Sequence, residues 1–286
     1  MPSNLPNNLT EIPFSSPDFP SEWKELPDCP QKLYALGDIS LLKGRKLAVV
    51  GSRRTPANAL KLGVEIAKSL SYQLVIATGV ADGGDSAAIE GALLGGGRVI
   101  CLLPGGFSAL PQYNLELLRK VAKRGLILSP HPFETEVRAF SYEYRNKLLA
   151  KLCQGVLVLG AGEKSGALIT AKYAAAFKKE IFAFPYPPNS SSGAGCNALI
   201  KKGAHLTESA EDVAERLGVD LTEKPREIAL TPDEEKLYAC LKEGEAHASE
   251  LAQKTGIPVF KLRAILSSLE VKGFIVSLGG NRYSAV

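Results

Sequence analysis

The chain has no apolar run long enough to cross a bilayer. Its amino terminus shows no basic stretch followed by an apolar one, so neither a secretory signal nor a membrane association is expected. Cysteine is sparse and scattered, at Cys29, Cys101, Cys153, Cys196 and Cys240, with no CxxC or CxxH pair. An odd, dispersed set argues against a disulfide framework and against a metal site, and points to free thiols in a reducing cytoplasm. Histidine is scarcer still. His131, His205 and His247 stand alone, and with no GxSxG elbow nothing supports a Ser-His-Asp triad. A GxGxxG fingerprint and a Walker A lysine motif are both missing, which argues against NAD, FAD and P-loop nucleotide chemistry. No cofactor is expected.

A length of 286 residues suffices for a full α/β domain and a small second one. Hydrophobic content of 45% and charged content of 22% are those of an ordinary globular protein. The net charge of +4 is unevenly placed. Residues 1–43 carry three Lys/Arg against six Asp/Glu, and residues 230–286 carry seven of each. Residues 44–229 hold 24 basic and 17 acidic groups, so a polyanionic partner is to be sought there.

Residues 1–43, rich in Pro, Ser and Asn, read as a poorly ordered or extended leader, packed at most through Trp23, Leu33 and Tyr34. From residue 44 short apolar runs alternate with helical spacing. Strands are expected over 47–50, 74–78, 99–103, 126–129, 155–159 and 181–184. Helices are expected over 57–70, 85–94, 115–123, 142–152, 165–177, 194–202 and 210–217. The alternation predicts a Rossmann-like α/β fold over 44–217, a mostly parallel sheet with helices on both faces. Polar residues 218–229, including Pro225, read as a linker. Thr231-Pro232-Asp233-Glu234 then opens a helix with an N-cap, a proline at the first helical position and acids in the first turn. Helices over 249–255 and 259–272, each followed by glycine, and a hairpin across Gly279-Gly280-Asn281 complete a winged helix-turn-helix over 230–286.

The first strand of the alternation runs into Gly51-Ser52-Arg53-Arg54. Gly51 permits a sharp turn, Ser52 is placed to cap the following helix, and two guanidinium groups sit at the carboxyl end of the strand, where open α/β sheets bind ligands. Such a corner suits phosphate, although the same residues also read as a strand-turn-helix corner with two solvated arginines. Glu163-Lys164-Ser165-Gly166-Ala167 precedes a helix, so Ser165 and Gly166 offer a second site of free N–H groups. Tyr144-Arg145-Asn146-Lys147 puts two cations and an aromatic in one helical turn, with Arg138 and Phe140 just upstream. Cations beside aromatics suit single-stranded nucleic acid, the rings of Phe140, Tyr142 or Tyr144 stacking a base. A surface helix with a core tyrosine is the plainer reading of that cluster.

In order, the chain presents Gly51-Ser52-Arg53, Gly79-Val80-Ala81-Asp82-Gly83-Gly84-Asp85, Arg145-Asn146-Lys147-Leu148-Leu149-Ala150, Ser165-Gly166-Ala167-Leu168-Ile169-Thr170-Ala171 and Gly195-Cys196-Asn197-Ala198-Leu199-Ile200-Lys201-Lys202-Gly203-Ala204. This combination resembles the DNA-processing protein A family (DprA, also called Smf), with a counterpart for the winged helix in many members. The resemblance implies a non-enzymatic homodimer, paired through the Rossmann-like domain, that binds single-stranded DNA and loads the RecA recombinase during natural transformation. It places the family's arginine after Gly-Ser on Arg53, its RNR motif on Arg145, Asn146 and Lys147, and its SGSLITA-like loop on Ser165, Gly166 and Thr170. The chain departs from the pattern at Ile89, where histidine is usual, at Gly83-Gly84-Asp85, at Tyr142-Glu143 and at Gln112, where a basic residue is common. Arg138 is a candidate for the missing cation. The leader is expected to be too short for the sterile-motif-like domain that often precedes the Rossmann domain.

Two other functions remain open at this point. Pro104-Gly105-Gly106 matches the start of the PGGxGTxxE motif of nucleoside-monophosphate phosphoribohydrolases, but no Gly-Thr or suitably spaced glutamate follows. A winged-helix transcription regulator is the other. Its recognition helix offers Lys261, Arg263 and Lys272 beside Glu270 in a neutral domain, which favours a protein-contact or auxiliary DNA role.

Overall fold

The computed structural model describes residues 9–221, 230–271 and 274–285. The chain divides into two compact units, residues 1–223 and 224–286. Residues 222–229 of the expected linker, with Pro225, and Lys272 at the end of the expected recognition helix lie outside the described residues.

The larger unit opens with two strands, β1 (Thr10–Pro13) and β2 (Lys32–Gly37). The α/β alternation follows: β3 (Lys46–Val50), α1 (Ala57–Leu70), β4 (Val75–Thr78), α2 (Gly84–Leu94), β5 (Val99–Leu102), α3 (Leu115–Arg124) and β6 (Leu126–Ser129). It continues through α4 (Ala139–Leu152), β7 (Gly155–Val158), α5 (Ala167–Ala176), β8 (Glu180–Ala183), α6 (Ala194–Lys201), β9 (His205–Leu206) and α7 (Ala210–Leu217). The strands form one nine-stranded sheet in the order β1-β2-β6-β5-β4-β3-β7-β8-β9. All pairings from β6 to β9 are parallel, while β1 and β2 join antiparallel at one edge.

Strands buried on both faces read as continuous apolar runs, which is why the expected strands are recovered. Their side chains divide by the two-residue period of a strand. Leu47 and Val49 of β3 enter the core under α1, α2, α3 and α7, while Ala48 and Val50 enter the core under α4, α5 and α6. The helices thus cover both faces, as a Rossmann-like fold requires.

From residue 10 the structure differs from the expected loose leader. β1 pairs with β2 and β2 with β6, with Tyr34 opposite Ser129 and Gly37 opposite Leu126. Between these strands a short 3-10 turn (Ser21–Trp23) buries Trp23 completely, and its indole Nε1 donates to the carbonyl of Leu148 in α4 at 2.8 Å. Phe19, Leu26 and Leu33 join the same core. The physical reason is the uncovered sheet edge at β6: an antiparallel strand satisfies its backbone groups, and the aromatic segment seals α4.

The smaller unit comprises α8 (Pro232–Lys242), β10 (Ala246–His247), α9 (Ala248–Thr255), α10 (Val259–Val271), β11 (Ile275–Gly279) and β12 (Arg282–Ala285). Its sheet runs β10-β12-β11, and Leu237, Leu251, Leu262, Leu266 and Leu269 fill its own core. The helix start at Thr231 is a capping box. Thr231 Oγ1 accepts from the Glu234 amide, and Glu234 Oε2 accepts from the Thr231 amide at 2.7 Å. Three helices and a hairpin make this unit a winged helix.

Replacing Trp23 by alanine should destabilise the larger unit by about 3–5 kcal/mol, the cost of emptying a fully buried aromatic site. Urea denaturation followed by circular dichroism measures it. A change under about 1 kcal/mol would mean that the amino-terminal segment is not part of the core.

Candidate functional site at the topological switch point

The parallel strands progress outward from β3 in two directions, through β4, β5 and β6 on one side and β7, β8 and β9 on the other. The loops after β3 and β7 therefore part company and leave a crevice between them, the usual ligand position in such sheets. The Ser52 amide donates to Gly160 O at 2.8 Å and ties the two loops at their base.

On the β3 side the loop is held by backbone contact. A Cβ on Gly84 would stand 2.2 Å from Gly51 Cα, so the strand end and the start of α2 touch main chain to main chain. Asp85, in the first turn of α2, accepts a hydrogen bond from the Ala81 amide at 3.2 Å and another from the backbone of Gly51. The Gly84 amide, at the start of α2, donates to Ser52 O.

Opposite Asp85 stands Arg145 of α4, equally buried. Its Nη1 donates to Leu102 O at 3.0 Å and its Nε to Asn146 Oδ1 at 2.8 Å. Burial pushes the Asp85 carboxyl above its ordinary range, and the Arg145 charge and the backbone amides pull it back. Burial likewise lowers the Arg145 pKa, and Asp85 opposes that shift. The two groups converge over Gly79, where a Cβ would lie 2.0 Å from Arg145 Nη1 and 2.3 Å from Asp85 Oδ2. Only glycine leaves room for both.

On the β7 side, Asn146 Nδ2 donates to Gly166 O at 3.3 Å, linking α4 to the loop before α5. The Ser165 amide is taken by Gly162 O, and Ser165 Oγ accepts from the Ala167 amide. Gly166 has open space where a side chain would stand, and Thr170 is buried on the groove wall.

The resulting groove is lined by Gly51, Ser52, Arg53, Arg54, Arg145, Asn146, Ser165, Gly166 and Thr170, with Tyr142 beside them. Nine of the expected site residues thus come together. Arg53 and Arg54 are exposed, and neither makes an ion pair among the described residues. A narrower cleft continues from the groove past Arg53, Tyr142 and Arg145 to Tyr113, Val137 and the Pro104-Gly105-Gly106 turn. None of the residues on its wall is an acid.

Four expected residues are placed elsewhere. The helical period puts Tyr142, Arg145 and Asn146 on one face of α4 and Tyr144 and Lys147 on another. Lys147 Nζ pairs with Asp28 Oδ1 at 2.6 Å, and the Tyr144 hydroxyl donates to Asp28 O at 2.7 Å. Burial raises the Tyr144 phenol to about 12. Arg138 and Phe140, at the exposed start of α4, line neither the groove nor the cleft. Ser52 also differs in role: α1 begins after Pro56, so Ser52 Oγ accepts from the Arg54 amide and shapes the turn instead of capping the helix.

Tyr113 was not legible as a site residue. Its place is set by Asn114, whose Nδ2 donates to Val80 O at 3.0 Å and Ser86 Oγ at 3.0 Å. The departure at Ile89 is a core position, fully buried under α1 and β4.

Residues 10–218 match the family model for DNA recombination-mediator protein A, and residues 221–281 match the DprA winged helix domain. The chain belongs to the DprA/Smf family. It is 36% identical to DNA processing protein DprA of Bacillus subtilis over 212 residues, covering 73% of this chain and 71% of that protein. It is 29% identical to protein Smf of Escherichia coli over 282 residues, covering 94% and 75%. Among solved structures, DprA from Streptococcus pneumoniae superposes with a TM-score of 0.69 at 32% identity, covering 73% of this chain and 74% of that one. DprA from Helicobacter pylori, described for its unique single-stranded DNA binding mode, gives 0.67 at 30% identity, covering 73% and 95%. These DprA neighbours share the Rossmann-like fold of the larger unit.

Substituting Gly79 by alanine should force Arg145 and Asp85 apart and destabilise the larger unit by roughly 1–3 kcal/mol, the range for overpacking. Equilibrium denaturation checks this, and an unchanged midpoint would show that the two buried groups have slack around Gly79.

Proposed function

We propose that the switch-point groove binds the phosphate backbone of single-stranded DNA and that the chain acts as a DNA-processing recombination mediator. The observation that carries this reading is the pair Arg53 and Arg54, exposed in the groove with no ion pair among the described residues, beside Tyr142 and the Ser165-Gly166 loop, with Arg53 also lining the cleft that holds Tyr113. Unpaired guanidinium groups hold phosphates, and adjacent rings stack bases with little sequence preference. The single-stranded DNA binding described for the Helicobacter pylori relative supports the same assignment. Arg145 and Asn146 act as the floor that positions the groove, and Lys147 braces the amino-terminal segment.

Loading of RecA, pairing into a homodimer through the Rossmann-like unit, a role in natural transformation and a cytoplasmic location are proposed with this function, on the strength of family membership. Among the described residues no helix is long and apolar enough to cross a membrane. A binding role, in place of phosphoribohydrolase chemistry, is supported by a cleft wall made of guanidinium, phenol and apolar groups and by the engagement of Asp85, the acid on the adjoining groove, with the Ala81 amide beside Arg145, since glycosidic cleavage calls for a carboxylate at the sugar. The winged helix is assigned an auxiliary role, supported by the exposed Val259 and Phe260 at the start of α10.

Arg53→Ala should weaken binding of labelled oligo-dT by about 1–3 kcal/mol, or roughly 5- to 150-fold, with a flatter salt dependence. Lys147→Ala, which removes a brace and not a groove cation, should leave affinity within about twofold. Fluorescence anisotropy over a salt series reads both. Equal losses in the two variants, or none in either, would contradict the groove.

A further inference from the structure

We infer that the bound strand extends beyond the groove, past Tyr113, and follows a row of cations along the exposed face of α3; this rests on the proposed single-stranded DNA function. Tyr113 closes the cleft that begins at Arg53, and the residue is 61% exposed. The turn that carries it (Gln112–Asn114) runs directly into α3, with no intervening residue. The helix therefore starts at the mouth of the cleft and leads away from it for about 15 Å, ten residues at 1.5 Å each.

The composition of α3 is lopsided. It carries Arg119, Lys120, Lys123 and Arg124 against the single acid Glu116. Leu118 and Val121 are fully buried against the sheet, which turns the opposite side to solvent. Lys120 and Lys123, three residues apart, are exposed in one row that begins at the exposed Glu116, and Arg119 is partly exposed beside them. None of the three cations makes an ion pair among the described residues. Arg119 Nε is moreover shielded from solvent without a hydrogen-bond partner.

Favourable interaction with the α3 dipole accounts for Lys123 and Arg124 in the last turn, but Arg119 and Lys120 sit mid-helix. By contrast, the lysines of α4 that face the amino-terminal segment, Lys147 and Lys151, are each neutralised by an acid, Asp28 and Glu25. Lys147 and Lys151 thus brace the fold through ion pairs, and the α3 row makes none. A phosphate backbone emerging beside Tyr113 is the polyanion that this row fits. Gln112 brings no charge to the turn that carries Tyr113, and the α3 row lies just beyond it.

The test combines oligonucleotide length with charge removal. Lys120→Gln/Lys123→Gln in the full chain changes only exposed side chains. Binding of oligo-dT of about six nucleotides, near the lower end of the site sizes common for single-strand binders, and of about twenty, beyond their upper end, is measured by fluorescence anisotropy. The wild type should bind the long oligonucleotide more tightly. The double variant should keep the affinity for the short one and lose at least fivefold for the long one, with a salt slope reduced by about 1.4, or 0.7 for each phosphate contact removed. Unchanged affinity for the long oligonucleotide, or equal loss for both lengths, would overturn the track. Failure of the wild type to bind either length, or binding insensitive to Arg53→Ala, would instead overturn the groove itself. The two failures are therefore distinct.

Discussion

Two opposite charges taken out of water, Asp85 and Arg145, hold the site together. Removing either partner from such a buried arrangement leaves the other uncompensated, so both are strongly constrained. Asp85 fixes the loop after β3 and the start of α2 through backbone amides. Arg145 fixes the end of β5 through Leu102 O, and through Asn146 it reaches the loop before α5. Two loops, the start of α2 and the end of β5 are thus tied to one buried floor, with Gly79 as the spacer that admits it. Because the floor is satisfied internally, Arg53 and Arg54 are left free above it. A rigid base with uncommitted cations is the arrangement that preorganised phosphate binding needs.

The acidic amino-terminal segment has its counterpart on α4 and its surroundings. Glu22 pairs with the buried Lys46, Glu25 with Lys151 and Asp28 with Lys147, while Trp23 anchors the same stretch. The uneven charge along the chain follows from this. Acids at the start neutralise lysines on the outer side of the sheet and do not approach the groove. The partly exposed pairs of Lys147 and Lys151 contribute little each, so the buried aromatic core of the segment carries the attachment.

Most of the parallel sheet was legible because strands buried on both faces leave short apolar runs between helical patterns. The helices over 57–70 and 210–217 match the structure to the residue. The strands β1 and β2 were missed because β1 is a short edge strand with Ile12 buried between exposed neighbours, and β1 and β2 end at Pro13 and Gly37 in a segment rich in prolines. The groove residues were readable from the Gly-Ser-Arg corner and the Ser-Gly loop. The neighbours Tyr144 and Lys147 were grouped with Arg145 because they share a helical turn. The 3.6-residue period separates them onto different faces, and only the contact with Asp28, 119 residues away from Lys147, shows what that second face meets. Tyr113 had no local signal, since its position depends on Asn114 reaching Val80 and Ser86 across the fold.

The central claim is that the switch-point groove, and not the winged helix, receives the single strand. Photocrosslinking of the full chain to oligo-dT bearing a photoactivatable base, with the modified residues mapped by mass spectrometry, tests it most directly. Crosslinks at Tyr142 and Tyr113 that disappear in Arg53→Ala are the predicted result. Crosslinks confined to residues 230–286, unchanged by Arg53→Ala, would contradict it.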